Sequence, residues 1–126
     1  MNLLIDTHVL LWWIQDSKQL GKRARALIRD NATSIWVSSV SIWEISIKTA
    51  LGKLDQQELN RKLEQNGFRP LSITWDHALA VRDLPLHHRD PFDRILIAQS
   101  IVEDLTLMTA DAAIQAYDVR TIDAAR

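Results

Sequence analysis

Apolar and polar positions run along the chain in short blocks whose period switches between that of a strand and that of a helix. Leu3, Leu4 and Ile5 form an unbroken apolar run, the pattern of a parallel strand buried on both faces, so 2–6 is expected as a strand. Segment 7–16 (THVLLWWIQD) reads as a short helix and 18–31 as an amphipathic one. In the latter, Leu20, Ala24, Leu27 and Ile28 form the apolar stripe, while Lys22, Arg25 and Arg29 lie on another, solvated face. The β-rich 33–39 (TSIWVSS) predicts a second strand, and 39–53 a helix that Gly52 ends. A polar helix is expected over 55–67, opened by an Asp55/Glu58 box and stopped by Gly67. Pro70 makes 68–73 an edge strand or an irregular piece. Beyond it come a helix capped by Thr74 (74–84), a loop (85–91), a strongly apolar helix (92–104), a strand (105–109), a short helix (111–117) and a last short strand (119–123).

Strands alternating with helices in 126 residues predict one α/β domain, 1–126, with a mostly parallel sheet. In such sheets ligands bind beyond the carboxyl ends of the strands. Composition narrows the class further. Cysteine is absent, which excludes disulfides and thiolate metal sites and fits a reducing cytoplasm. No run approaches the ~20 apolar residues of a membrane span. The chain opens on a strand pattern with no basic leader before it, so a cytoplasmic location is expected. A net charge of −1 gives no compositional sign of a nucleic-acid binder. Five Trp are many for this length, with core packing their commoner use and an interface the alternative, and Leu11, Trp12, Trp13 and Ile14, with Ile42, Trp43 and Ile45, predict a two-fold symmetric homodimer.

Four acids sit where the pattern places strand ends or helix starts. Asp6 follows the first strand; capping the next helix would explain it, although Thr7 could cap instead. Glu44 would complete a capping box with Ser41 and pair with Lys48 at i,i+4, yet it also shares a face with Val40, Ile47 and Leu51, where a buried acid needs a cation. Asp90, Pro91 and Asp93 make a good helix start, with Asp at the cap, Pro at N1 and an acid at N3. Only one acid is needed to begin that helix, and the helix itself is apolar nearly all round. Asp111 follows the strand LTLMT and opens a helix. If both strands are central and parallel, Asp6 and Asp111 emerge at one edge of the sheet, with Glu44 and Asp93 led to the same edge.

Caps explain each acid singly but not four converging ones. Like charges together repel and raise one another's pKa, and a divalent cation removes that penalty. With carboxylates and no thiolates, the donor set implies Mg²⁺ or Mn²⁺, and the chemistry it suits is phosphodiester hydrolysis. His87 and His88 read as a polar loop, with acid–base catalysis as the alternative. Arg89 and Arg94 offer phosphate contacts, with solvated surface or pairing to the acids as the alternative.

These residues resemble those of a PIN-domain nuclease, and most of all the toxin subunits of VapBC toxin–antitoxin pairs. The stretches that carry the resemblance are LIDTHVLLW with Asp6, SIWEISIK with Glu44, HRDPFDRILIAQS with Asp93 and LMTADAAI with Asp111, in order over essentially the whole chain. The resemblance implies a three-layer α/β/α fold, a Mg²⁺-dependent endoribonuclease acting on RNA, a VapB-like antitoxin that inhibits it, and a homodimer. Carried onto this chain, it makes Asp6, Glu44, Asp93 and Asp111 the catalytic and metal-binding acids. Thr7 and Thr109 become neighbours that orient them, and Asp90 a further acid of open role. Two other classes compete. A receiver-type phosphoacceptor domain needs adjacent acids after the first strand and a Lys after a late one; here Thr7 and His8 follow Asp6, and LTLMTAD has no Lys. A PIN fold used only for binding commonly loses acids, and all four are present.

Overall fold

The computed structural model describes residues 1–48 and 56–126. Five short strands form one sheet, β1 (Asn2–Ile5), β2 (Ser34–Ser38), β3 (Arg69–Leu71), β4 (Thr106–Thr109) and β5 (Thr121–Asp123), in the spatial order β3-β2-β1-β4-β5. Every neighbouring pair is parallel, so the sheet is wholly rather than mostly parallel. The helices are α1 (Thr7–Ile14), α2 (Lys22–Arg29), α3 (Ser39–Ile47), α4 (Gln56–Gln65), α5 (Trp75–Ala80), α6 (Pro91–Val102) and α7 (Ala112–Gln115). A single 3-10 turn, Val81–Asp83, finishes the stretch expected as one helix from Thr74.

The unbroken apolar run of β1 is explained by its place in the middle of the sheet. Leu3 and Ile5 enter a core with α1, α2, α4 and β2, while Leu4 enters a second core with α6, α7 and β4. Alternate residues of one strand thus feed opposite layers, the result of the two-residue side-chain period. The architecture is α/β/α in three layers, as expected. The α2 stripe is confirmed by burial of Leu20, Ala24 and Ile28. β3, with its Pro70, is an edge strand whose single pairing is to β2. Thr74 caps α5 in a full capping box with His77. Gly67 follows α4 with φ +66°, the left-handed turn that its position past the helix end requires.

Several local expectations change. The cap of α3 is Ser38, whose hydroxyl accepts from the Val40 amide; Ser41 lies inside the helix, buried, so no Ser41/Glu44 box forms. Ile47 is exposed, so the Val40–Glu44 face does not extend to it. Ile14 and Ile45 are core residues and Leu11, Trp12 and Trp13 pack against that core, leaving Trp43 and Trp75 as the Trp that stand out into solvent. Arg25 is not simply solvated: it pairs with Asp16 and donates to the Leu20 and Ser17 carbonyls. Leu51, Gly52 and Asp55, on which a stripe position, a helix stop and a capping box were expected, lie outside the described residues. No helix among the described residues is long and apolar enough to cross a membrane.

Candidate active site

The strand order reverses direction in sequence between β1 and β4. From β1 the chain winds outward to β2 and β3, then returns to place β4 on the other side of β1 and β5 beyond it. A parallel sheet opens a crevice beyond the carboxyl ends of its strands at such a point. Asp6 is the residue directly after β1, and its backbone amide donates to the Met108 carbonyl of β4, at 3.1 Å. Thr109 ends β4, and Asp111 follows two residues later. The neighbouring ends of two central strands therefore carry an acid each.

Asp6 is 3% exposed. Its carboxylate accepts from the Val9 amide at 2.8 Å and so caps α1, which leaves Thr7 free of that task. Thr7 donates its hydroxyl to Ser41 at 3.0 Å, a buried tie between α1 and α3. Burial pushes the Asp6 carboxyl above its usual range, against hydrogen bonds from Thr109 and Val9; nearby Asp111 pushes the same way as burial. Thr109 is fully buried and works in two directions. Its hydroxyl is shared with Asp6, and it accepts from the Asp111 backbone amide at 3.0 Å. Asp111 caps α7 through the Ala113 amide.

Asp90 caps α6, accepting from the Phe92 and Asp93 amides. Asp93 therefore has no capping duty. Burial, with Asp90 alongside, raises its carboxyl from 3.8 to about 6; Asp111 and Asp6 add to the rise, and a hydrogen bond from His88 opposes it. Asp6, Asp90, Asp93 and Asp111 thus lie within electrostatic range of one another. Glu44 joins them differently. It is 3% exposed and pairs with Lys48 at 2.6 Å. Glu44 holds the Lys48 ammonium above its usual pKa, as do Asp90 and Asp93. The i,i+4 pair expected as the structural role of Glu44 is present, and its cation also faces the acids of α6.

Two residues read from sequence as surface prove to be structural. Arg94 donates to the carbonyls of Pro85, Val81 and Leu84 and to the Tyr117 hydroxyl, so its guanidinium braces the loop before α6 and is not free for phosphate. His88 is no solvated loop residue: its Nε2 lies 3.3 Å from Asp93 and its Nδ1 2.8 Å from the buried Tyr117 hydroxyl. Its sequence signal was proximity to an acid-rich helix start; its partner Tyr117 is 29 residues away and invisible to any local pattern.

Among the described residues no three His, Asp or Glu side chains close into a ready-made metal cage. Mg²⁺ keeps several waters and takes only one or two carboxylates directly. A spread set of acids, two with carboxyls pushed up and no thiolate among them, fits such a hydrated, oxygen-seeking ion.

No curated protein matches the sequence. Solved structures do match in fold. A chain of VapBC2 from Rickettsia felis, bound to a DNA fragment from their promoter, is 14% identical with a TM-score of 0.73, over 97% of this chain and 98% of that one. A chain of DNA-bound VapBC from Salmonella typhimurium is 12% identical, TM-score 0.70, over 98% of each. FitAcB from Neisseria gonorrhoeae is 17% identical, TM-score 0.57, over 96% of each. The PIN domain model matches residues 3–120, nearly the whole chain. The chain belongs to the PIN domain family.

Proposed function

We propose that this PIN domain is the toxin of a VapC-type toxin–antitoxin pair, an endoribonuclease that hydrolyses RNA with Mg²⁺ or Mn²⁺. PIN domains are a nuclease family, and its nucleases generally use divalent metal ions. The observation that carries the reading is that Asp6, Asp93 and Asp111 lie within electrostatic range of one another at the β1/β4 switch point, with the carboxyls of Asp6 and Asp93 both pushed up. The whole-length likeness to chains of VapBC and FitAcB structures supports a toxin and an antitoxin partner of the VapB kind. A homodimer belongs to the same reading, with exposed Trp43 and Trp75 as its apolar material.

Asp6, Glu44, Asp93 and Asp111 would hold the ion. When bound, it neutralises phosphate oxygens and makes a water nucleophilic. The chain's own contribution is placement. Helix caps aim Asp6 and Asp111, Thr109 ties these two together, and Lys48 balances Glu44 until substrate arrives. Purified protein incubated with RNA should cut it in Mg²⁺ or Mn²⁺ and stop in EDTA, leaving 5′-phosphate and 3′-hydroxyl ends. Cleavage that persists in EDTA, or 2′,3′-cyclic phosphate products, would overturn the proposal. No cleavage under any metal, with binding to a partner intact, would return the domain to a binding role.

A further inference from the structure

Among the described residues Asp93 forms no ion pair with a Lys or Arg; the side chain that meets it is a histidine. Asp93 Oδ2 meets His88 Nε2, while its Oδ1 has no hydrogen-bond partner among the described residues. Both side chains are mostly buried. Behind His88 stands Tyr117, 4% exposed, and its phenol oxygen is the centre of a small network. Arg94 Nη1 donates to it at 2.9 Å and the His88 backbone amide at 3.3 Å. Neither group can accept a proton back. The phenol's own proton then has two places to go, the His88 Nδ1 at 2.8 Å or the His88 carbonyl at 3.4 Å. The shorter, stronger bond is to Nδ1. Nδ1 is therefore an acceptor, the ring proton of neutral His88 resides on Nε2, and Nε2–H donates to Asp93.

From this we infer that His88 is a positioning residue. Arg94 and Tyr117 lock its tautomer, and its Nε2–H pins one oxygen of Asp93 so that the other is left for the metal. The network joins the loop before α6, the first turn of α6 that carries Asp93, and the segment after α7, the short helix whose other end Asp111 caps. Ring packing supports it, since the His87 and His88 rings both stand edge-on to Tyr117, with centroids 4.7 and 5.4 Å away. His–carboxylate partners behind metal ligands fix ligand orientation, and their loss costs metal affinity roughly ten- to a hundredfold. The inference rests on the metal-dependent reading of the same acids.

The test combines imidazole ¹⁵N spectra of the full chain without metal with Mn²⁺ calorimetry, thermal unfolding and RNA cleavage. The variants are His88→Ala, His88→Gln and Asp93→Asn. The wild-type spectrum should show the Nε2–H tautomer at His88, a result that needs neither metal nor variant. His88→Ala should weaken Mn²⁺ binding by about tenfold or more and lower kcat while KM for RNA holds. His88→Gln should recover most of both, because its amide N–H reaches where Nε2–H stood. An Nδ1–H tautomer, wild-type Mn²⁺ affinity in His88→Ala, or a Gln variant no better than Ala would each overturn the inference. Equal Mn²⁺ binding by wild type and Asp93→Asn would instead overturn the metal-dependent reading itself.

Discussion

Glu44 and Asp93 are both acids on helices that flank the crevice, and they are stabilised by opposite means. Glu44 has a cation within hydrogen-bond reach, Lys48 one turn along its own helix, and can be buried while charged. Asp93 has three acids around it and a histidine hydrogen bond, and its carboxyl rises to about 6. An ion pair settles a buried charge. A cluster of like charges leaves it unsettled until something positive arrives. The α6 side of the crevice is therefore the side that stands to gain most from a divalent cation, and the α3 side is already balanced.

That contrast can be broken at its strong end first. Asp93→Asn keeps shape and its place in the first turn of α6, so a purely structural Asp93 would leave RNA cleavage near the wild-type rate. In the proposed nuclease, cleavage should fall by more than about a hundredfold, in keeping with the several kcal/mol that metal-ion charge stabilisation is worth. Circular dichroism should show an intact fold. Asp6→Asn should behave alike, because Asn caps α1 nearly as well as Asp.

The same substitution has a stability signature of known sign. Between 3.8 and about 6 the native chain holds a proton on Asp93 that the unfolded chain has released. Stability contributed by the protonated form is thus complete below the unfolded value and lost as pH rises through the native one. Unfolding free energy without metal should fall across this window by roughly 1–3 kcal/mol. In Asp93→Asn the fall should shrink and the melting temperature at neutral pH should rise. Denaturant titrations at several pH values measure it, and an unchanged pH slope would count against a raised Asp93.

At the balanced end, Lys48→Met removes the counter-charge of Glu44. Because Lys48 is half exposed, the loss of stability should be modest, about 1 kcal/mol without metal. Mn²⁺ should bind more tightly to this variant, since Glu44 is freed and the crevice becomes more anionic. Weaker Mn²⁺ binding would show that Lys48 supports the site and does not compete for it. Smallest of all, Asp111→Asn should change stability without metal by only a few tenths of a kcal/mol, because capping of the short α7 persists. A thermal melt suffices to check it.

What could be read from sequence alone was what short-range physics decides. The apolar run of β1, the stripe of α2, the Thr74, Asp90 and Asp111 caps and the Pro70 edge strand each depend on neighbours within a few residues, and each is found in the fold. Asp6, Asp93 and Asp111 were visible for the same reason, since strand ends and helix starts are locally marked; Glu44, in the middle of α3, stood out only as an acid among apolar neighbours. Helix α3 was harder. Whether Ser38 or Ser41 caps it, and whether Ile47 is buried with Val40 and Glu44, depends on how α3 packs between α1 and α6, which helical spacing alone does not set.

The tertiary structure decided which strands stand side by side, and so that Asp6 and Asp111 flank one switch point. It alone turned His88 from a loop residue into the partner of Asp93, through a tyrosine 29 positions along the chain. It also bound Arg94 to loop carbonyls, where charge alone suggested phosphate. The physical reason is the same in each case. Hydrophobic period and capping are paid out locally, whereas a buried carboxylate or imidazole takes its role from whichever polar groups the packing brings within about 3 Å of it.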